Sequence, residues 1–68
     1  MQPVESGAIA ELGHDPASNT LRVKFKNGGV YEYHNVTAEK HQALMGSDSI
    51  GKHFAAHIRQ NHEFRKLS

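Results

Sequence analysis

The feature that most constrains this chain is a run of alternating side chains followed by glycines. In LRVKFK (21–26), apolar Leu21, Val23 and Phe25 alternate with basic residues. This alternation predicts a β-strand with one buried face. The next residues, NGG, are typical of a tight hairpin, and VYEYHN supplies a second strand. The chain is therefore expected to build an antiparallel sheet around this hairpin.

The hairpin loop can be predicted from the faces that must match. A two-residue loop would turn Tyr31 and Tyr33 away from the apolar face of the first strand. A three-residue loop, with Gly29 in the left-handed conformation, places both tyrosines on that face. Phe25 then lies opposite Tyr31, and Val23 lies opposite Tyr33. We predict the three-residue loop, because it gathers the large apolar side chains on one side.

The residues before the hairpin predict one further strand. Residues 1–7 have little apolar content and are expected to form a flexible lead-in. The stretch AIAELGH (8–14) predicts a strand, but Ile9 and Leu12 are three positions apart and do not alternate. A bulge near Gly13 would explain this spacing. The following residues, DPASNT, are turn formers.

Two helices are predicted after the hairpin. Thr37 is a candidate N-cap for a helix that stops at Gly46, and a second helix begins near Ser49, with Ser47 as the alternative cap. The second helix carries a core stripe at helical spacing, formed by Ile50, Phe54 and Ile58. Residues 8–68 are therefore expected to form one α+β domain. Its predicted order is a three-stranded antiparallel meander followed by two helices packed on one face.

Composition narrows the possible functions. The chain of 68 residues has no cysteine, which excludes disulfides and thiolate sites and favours a cytoplasmic location. It has no long apolar run and no basic leader before an apolar segment, so no membrane partner is expected. A chain this short has little room for an enclosed substrate cavity. We therefore expect a binding module, not an enzyme, and no cofactor.

The stretch HFAAHIRQNH (53–62) raises the question of a metal site. His53 and His57 are four residues apart, so a helix would place them one turn apart. Zinc needs at least three protein ligands, and His62 would have to join them. A metalloprotease helix also needs a glutamate after its first histidine, where this chain has Phe54. We predict no metal site, and zinc binding by the three histidines is the testable alternative.

Basic residues form two groups that could contact an anionic partner. The C-terminal group is the first candidate for binding nucleic acid and consists of Lys52, Arg59, Arg65 and Lys66. The alternative surface is the outer face of the alternating strand, with Arg22, Lys24 and Lys26. Alternating basic residues on a strand also serve as a solvated face that prevents aggregation. The C-terminal group has only four full positive charges, so the chain is expected to bind nucleic acid modestly and in a salt-sensitive way.

The order of these features resembles the KTSC domain, and the resemblance spans Ser6 to Leu67. It rests on a series of matching positions: Ile9, Leu12, Gly13, Gly28, Gly29, Tyr31, Tyr33, Val36, Ser49, Gly51, Phe54 and Ile58. The KTSC domain is a short module named for its place at the C-terminus of some lysyl-tRNA synthetases. It also occurs as free-standing bacterial and phage proteins, and the function of the family is not established. The resemblance implies RNA as the first candidate partner. The second candidate partner is a larger protein, on which the module would dock as a regulator.

The motif residues implied by this resemblance are expected to be mainly structural. They are Tyr31, Tyr33, Gly29, Gly51 and Phe54. The two tyrosines are predicted to pack in the core first, with base stacking as the alternative. This chain departs from the family pattern at three positions, where it has His14, Thr37 and His41.

Overall fold

The computed structural model describes all residues, 1–68, as one sheet with two helices. The strands are β1 (Gln2–Pro3), β2 (Ile9–Asp15), β3 (Thr20–Phe25), β4 (Val30–Tyr33) and β5 (Phe64–Lys66). The helices, α1 (Ala38–Met45) and α2 (Ile50–His57), lie between β4 and β5 in the chain. The sheet has the order β1-β2-β3-β4-β5, and each neighbouring pair is antiparallel. Neither helix has the length and apolar character needed to cross a membrane.

The α+β class and the two helices are confirmed, but the predicted number of strands is wrong. The sheet has five strands, four of them before the helices, where the sequence predicted three. The two additional strands, β1 and β5, form the sheet edges and have two and three residues. Strands this short show no alternation that a sequence pattern could reveal. β1 lies within residues 1–7 and pairs with β2 through Gln2 opposite Leu12.

The β3–β4 hairpin has the predicted faces but a different register. Val23 lies opposite Tyr31 and Leu21 lies opposite Tyr33, two residues from the predicted pairing. Side chains alternate with a period of two, so a shift of two residues leaves every side chain on its predicted face. Both tyrosines therefore share the face of Leu21, Val23 and Phe25.

The hairpin loop explains the shift in register. Three residues, 26–28, connect Phe25 to Gly29, and the Phe25 N–H donates to the Gly29 carbonyl over 2.8 Å. The left-handed residue is Gly28, with φ of 97°, and not Gly29 as predicted. This is the hairpin geometry in which a turn is followed by one residue with positive φ. The loop length is correct, but it begins one residue earlier than the sequence suggested, and this changes the cross-strand pairing by two residues.

The bulge in β2 lies elsewhere than predicted. The pairing of β2 with β3 is irregular between Ile9 and Glu11, and not at Gly13. The extra residue lets Ile9 and Leu12 both enter the core although they are three positions apart.

Both helices begin at their predicted caps. The Thr37 hydroxyl accepts the Lys40 N–H over 3.3 Å, and the Ser49 hydroxyl accepts the Lys52 N–H over 3.4 Å. Each bond satisfies a backbone donor that the first helical turn leaves unpaired. The first helix ends before Gly46, as predicted.

The core lies between the helices and one face of the sheet. Nine apolar residues are buried there: Ile9, Leu12, Leu21, Val23, Tyr33, Val36, Leu44, Phe54 and Ile58. Phe25, Tyr31 and Ile50 are half-buried and pack against this cluster. The predicted packing of the hairpin beneath α2 is confirmed.

Candidate binding cleft

All aromatic side chains of the chain line one open cleft, which we call the aromatic cleft. The sequence has three phenylalanines, two tyrosines and no tryptophan. Their rings touch in a closed circuit whose centroid distances are 5.5 Å (Phe25–Tyr31), 5.7 Å (Tyr31–Phe64), 5.5 Å (Phe64–Tyr33), 5.1 Å (Tyr33–Phe54) and 5.9 Å (Phe54–Phe25). Distances of this size are typical of interacting aromatic pairs.

Four elements bring the rings together. Tyr31 and Tyr33 are two positions apart on β4, so they point to the same side of the sheet. Phe64 on the edge strand β5 lies directly opposite Tyr33. Phe25 ends β3 beside the hairpin loop, and Phe54 comes from α2 above the sheet.

The cluster runs from the core to the surface. Phe54 and Tyr33 are only 3% and 4% exposed, whereas Phe64 is 56% exposed. The cleft between them has a volume of about 510 Å³. Binding pockets for small molecules range from about 300 to 1,000 Å³, so one nucleobase or an amino-acid side chain would fit.

Two polar side chains line the aromatic cleft, Arg59 and Asn27. Arg59 lies just beyond α2 and forms no ion pair or side-chain hydrogen bond. Burial raises the pKa of Tyr33, and the Arg59 guanidinium acts in the opposite direction, as expected for a nearby cation. The side-chain oxygen of Asn27 accepts the Gly29 N–H over 2.9 Å. The lining contains no carboxylate.

The basic residues on the outer face of the sheet are partly neutralised by carboxylates. Arg22 Nε and Arg65 Nη2 lie 3.6 and 3.5 Å from the two carboxylate oxygens of Glu32. Lys24 Nζ lies 3.7 Å from Glu11 Oε2 on the neighbouring strand. Three of the predicted binding residues therefore face carboxylates, which offset much of their attraction for an anionic partner.

The remaining predicted binding residues form no ion pair, and of these only Arg59 lines the aromatic cleft. Lys26 lies in the hairpin loop after β3 and not on the outer face of the strand as predicted, because β3 ends at Phe25. Lys66 lies opposite Tyr31, on the side of the sheet that carries the cleft. Lys52 follows Gly51 in an adjoining groove that also contains Glu5 and Asp48. The predicted C-terminal group is thus not one surface, because Arg65 and Lys66 point to opposite faces of β5.

The motif glycines keep close contacts that a side chain would disturb. A Cβ atom on Gly29 would lie 3.2 Å from Tyr31 Cε1, and one on Gly51 would lie 3.1 Å from Ser6 Oγ. Gly29 therefore allows the Tyr31 ring to lie over the hairpin end. Gly51 lets the N-terminal segment approach α2 at Ser6.

The histidines of residues 53–62 do not converge. The rings of His53 and His57 are 4.4 Å apart, but His62 donates from Nδ1 to the His34 carbonyl over 2.8 Å. Its other ring nitrogen faces Lys40 Nζ at 3.4 Å. The chain contains no group of three or more histidine, aspartate or glutamate side chains arranged to hold a metal. The arrangement required by the zinc alternative is therefore not found.

A second pair of histidines lies at the other end of the sheet. His14 and His41 are stacked with ring centroids 5.0 Å apart, and His14 Nε2 donates to the Val36 carbonyl over 2.6 Å. Nδ1 of His41 is buried without a partner. Burial, and to a smaller extent His14, lowers the pKa of His41.

Comparison with protein families identifies the chain. The family model of the KTSC domain matches residues 5–64. The chain belongs to the KTSC domain family. A crystal structure of a KTSC domain protein from Yersinia pestis is 34% identical and superposes with a TM-score of 0.94. That match covers 98% of this chain and 94% of the other, so the five-stranded fold is shared across almost the whole length.

Other relatives of this KTSC domain include free-standing proteins and a segment of a longer one. An uncharacterised protein of Stutzerimonas stutzeri is 37% identical, covering 87% of this chain and 83% of its own length. A protein of Tsukamurella paurometabola is 42% identical, and the match covers 76% of this chain and 78% of that protein. A lysine–tRNA ligase of Nostoc punctiforme is 31% identical over 94% of this chain, which corresponds to 11% of the ligase.

Several residues of the KTSC cleft were not singled out from the sequence as site residues. Phe64 was not among the predicted binding residues, and Phe25 and Asn27 were assigned to the apolar face of the hairpin and to its loop. The missing information was the position of β5, because only its pairing with β4 places Phe64 beside Tyr33. The one available signal was that the other four aromatic residues occur on the hairpin and the second helix, which were expected to meet.

Proposed function

We propose that the protein is a non-catalytic cytoplasmic module that binds single-stranded RNA in the aromatic cleft. The observation that carries the proposal is the convergence of all five aromatic rings on one open cleft beside Arg59. Unpaired bases stack on aromatic side chains, and each stacked base contributes about 1–3 kcal/mol. The exposed ring of Phe64, with Tyr31 behind it, offers such a surface.

The charges around the cleft support an anionic ligand. Lys26, Arg59 and Lys66 have no carboxylate partner, and no acidic residue lines the cleft itself. The ion pairs of Glu32 and Glu11 mask the outer face of the sheet, which leaves the cleft side as the more attractive surface for phosphates. An unpaired arginine at the rim also disfavours cationic ligands, which would otherwise suit an aromatic lining.

The choice of RNA over DNA rests on a relative. A lysine–tRNA ligase, which by its name acts on tRNA, contains a segment 31% identical to almost the whole of this chain. Single-stranded RNA is recognised by stacking its unpaired bases on aromatic side chains, which is what the cleft offers.

The proposal can be tested by titrating fluorescently labelled single-stranded RNA and tRNA and measuring anisotropy. We expect micromolar or weaker affinity that declines with salt. The logarithmic slope should be no steeper than about −3, because at most four unpaired cations lie near the cleft and each contributes about 0.7 for a single strand. Arg59→Ala should weaken binding, and Arg22→Ala on the outer face is the matched control that should not. Equal effects of the two variants would remove the cleft as the binding site.

A protein-binding module is the second candidate, and the edge strand β5 favours it. Phe64 and Leu67 are exposed apolar residues at this edge, with 56% and 38% of their surface accessible. An open edge with apolar side chains can pair with an extended segment of another protein. If RNA fails to bind at low salt while a single purified protein partner forms a stoichiometric, nuclease-resistant complex, this candidate replaces the first.

A further inference from the structure

The polar side chains that line the aromatic cleft offer more hydrogen-bond donors than acceptors. The inference drawn from this rests on the proposed function and concerns which base binds in the cleft. The Arg59 guanidinium has five N–H donors and no acceptor, and it forms no ion pair or hydrogen bond within the protein. Asn27 has both donors and an acceptor, but its oxygen accepts the Gly29 N–H at 2.9 Å. This bond uses one of the two lone pairs of the oxygen and holds the side chain against the hairpin backbone.

The tyrosine hydroxyls do not change this balance. Tyr33 is 4% exposed, yet its hydroxyl forms no hydrogen bond within the protein and is not fully enclosed. It therefore reaches solvent at the cleft. A hydroxyl can donate or accept by rotating, so it discriminates little between ligands.

The two purines stack alike but differ along the edge that carries N7. Guanine presents two adjacent acceptors there, O6 and N7, which match the planar fork of an arginine. Adenine presents the N7 acceptor beside an N6 donor, and a two-bond contact needs an asparagine or glutamine with its oxygen available. The oxygen of Asn27 is held by the Gly29 N–H, so a two-bond contact with adenine would have to share or break that bond, whereas the guanidinium of Arg59 is free to contact guanine.

We propose that the aromatic cleft selects guanine over adenine, with Arg59 contacting the O6 and N7 atoms of a guanine stacked on Phe64. The guanidinium supplies two parallel N–H donors. The exposed phenylalanine ring supplies the stacking surface, which either purine would use equally. The selectivity therefore comes from Arg59 and the affinity largely from the ring.

The test compares uridine oligonucleotides of one length that carry a single central purine. All of them have the same charge, so phosphate contacts cancel in the comparison. The guanosine oligonucleotide should bind about tenfold more tightly than the adenosine one, within the range of a bidentate contact. Inosine keeps O6 and N7 and should bind as guanosine does. The 7-deazaguanosine oligonucleotide lacks the N7 acceptor and should bind as adenosine does.

Arg59→Met is the variant that isolates the proposed contact. Methionine keeps a long side chain but has no N–H donor, so the guanosine preference should disappear, while the lost charge should weaken guanosine and adenosine binding alike. Arg22→Met on the outer face is the matched control and should keep the preference. A preference that survives in Arg59→Met would overturn the assignment to this residue.

The outcomes separate this inference from the function on which it rests. Equal binding of the guanosine and adenosine oligonucleotides, with binding still weakened by Arg59→Ala, overturns the base selectivity and leaves the cleft as an RNA site. Failure of every oligonucleotide to bind overturns both. A guanosine preference that is lost in Arg59→Met supports both.

Discussion

The aromatic cleft contains two phenylalanines whose removal should have opposite consequences. Phe54 is 3% exposed and its ring contacts those of Phe25 and Tyr33. Replacing a buried phenylalanine by alanine costs about 3–5 kcal/mol through lost burial and the cavity left behind. A domain of this size is stable by only about 3–10 kcal/mol in total. Phe54→Ala should therefore leave the protein largely or wholly unfolded.

Phe64→Ala should leave the fold intact. Its side chain is 56% exposed, so less than half of it contributes to burial. Full burial of a phenylalanine contributes about 1.5–3 kcal/mol, and its loss here should cost only about 1 kcal/mol. The same variant should weaken RNA binding by about 1–3 kcal/mol, because it removes the exposed stacking surface.

Urea denaturation followed by far-ultraviolet circular dichroism measures the first difference, and anisotropy with labelled RNA measures the second. Both variants replace a phenylalanine of the same aromatic cluster by alanine, so each is a control for the other. A Phe64→Ala protein as unstable as Phe54→Ala would show that Phe64 is a core residue. A stable Phe64→Ala protein with unchanged RNA affinity would refute its role as a stacking surface.

Three further predictions concern other parts of the molecule. Gly28→Val should cost about 1–2 kcal/mol of unfolding free energy, measured in urea, because Gly28 has a φ of 97° and valine strongly disfavours positive φ; a smaller loss than from Gly29→Val would contradict this. Burial lowers the pKa of His41 below 6.5, so the unfolded chain binds its proton more tightly. The contribution of neutral His41 to the free energy of unfolding should be fully present above pH 6.5 and should decrease as the pH falls below it. Urea melts at successive pH values measure this, and the decrease should be smaller in His41→Phe. Glu32→Gln should cost about 1 kcal/mol and should raise RNA affinity in the anisotropy assay, since it releases Arg22 and Arg65; reduced affinity would contradict the masking of the outer face.

The central features of the fold could be predicted because they depend on periodic patterns. The alternation of 21–26 placed the hairpin side chains on the correct face, and the caps Thr37 and Ser49 defined both helix starts. The hairpin register could not be obtained in the same way. Shifting the strands by two residues keeps the same faces, so face matching cannot distinguish the two pairings. The choice depends on which residue of 27–29 takes the positive φ, and both glycines can adopt it.

The edge strands and the cleft could not be predicted because they depend on contacts between distant parts of the chain. β5 has three residues and finds its place only by pairing with β4. Without that pairing, Phe64 has no visible connection to Tyr33, and Arg65 and Lys66 look like one basic cluster. The pairing sends Arg65 towards Glu32 on the outer face and Lys66 to the side of the aromatic cleft. Counting charges along the sequence therefore overestimated the attraction of the outer face for an anionic partner, and it did not locate the cleft.

Tyrosine fluorescence provides the most direct measurement of the central claim, that single-stranded RNA binds in the aromatic cleft. The protein has no tryptophan, and both of its tyrosines, Tyr31 and Tyr33, line the cleft. A base stacked there should quench their emission in a saturable way, with the same midpoint as the anisotropy of labelled RNA. The quenching should be lost in Phe64→Ala, which also corrects for absorption by the RNA, and kept in Arg22→Ala. RNA that binds to saturation without changing tyrosine emission would contradict the claim.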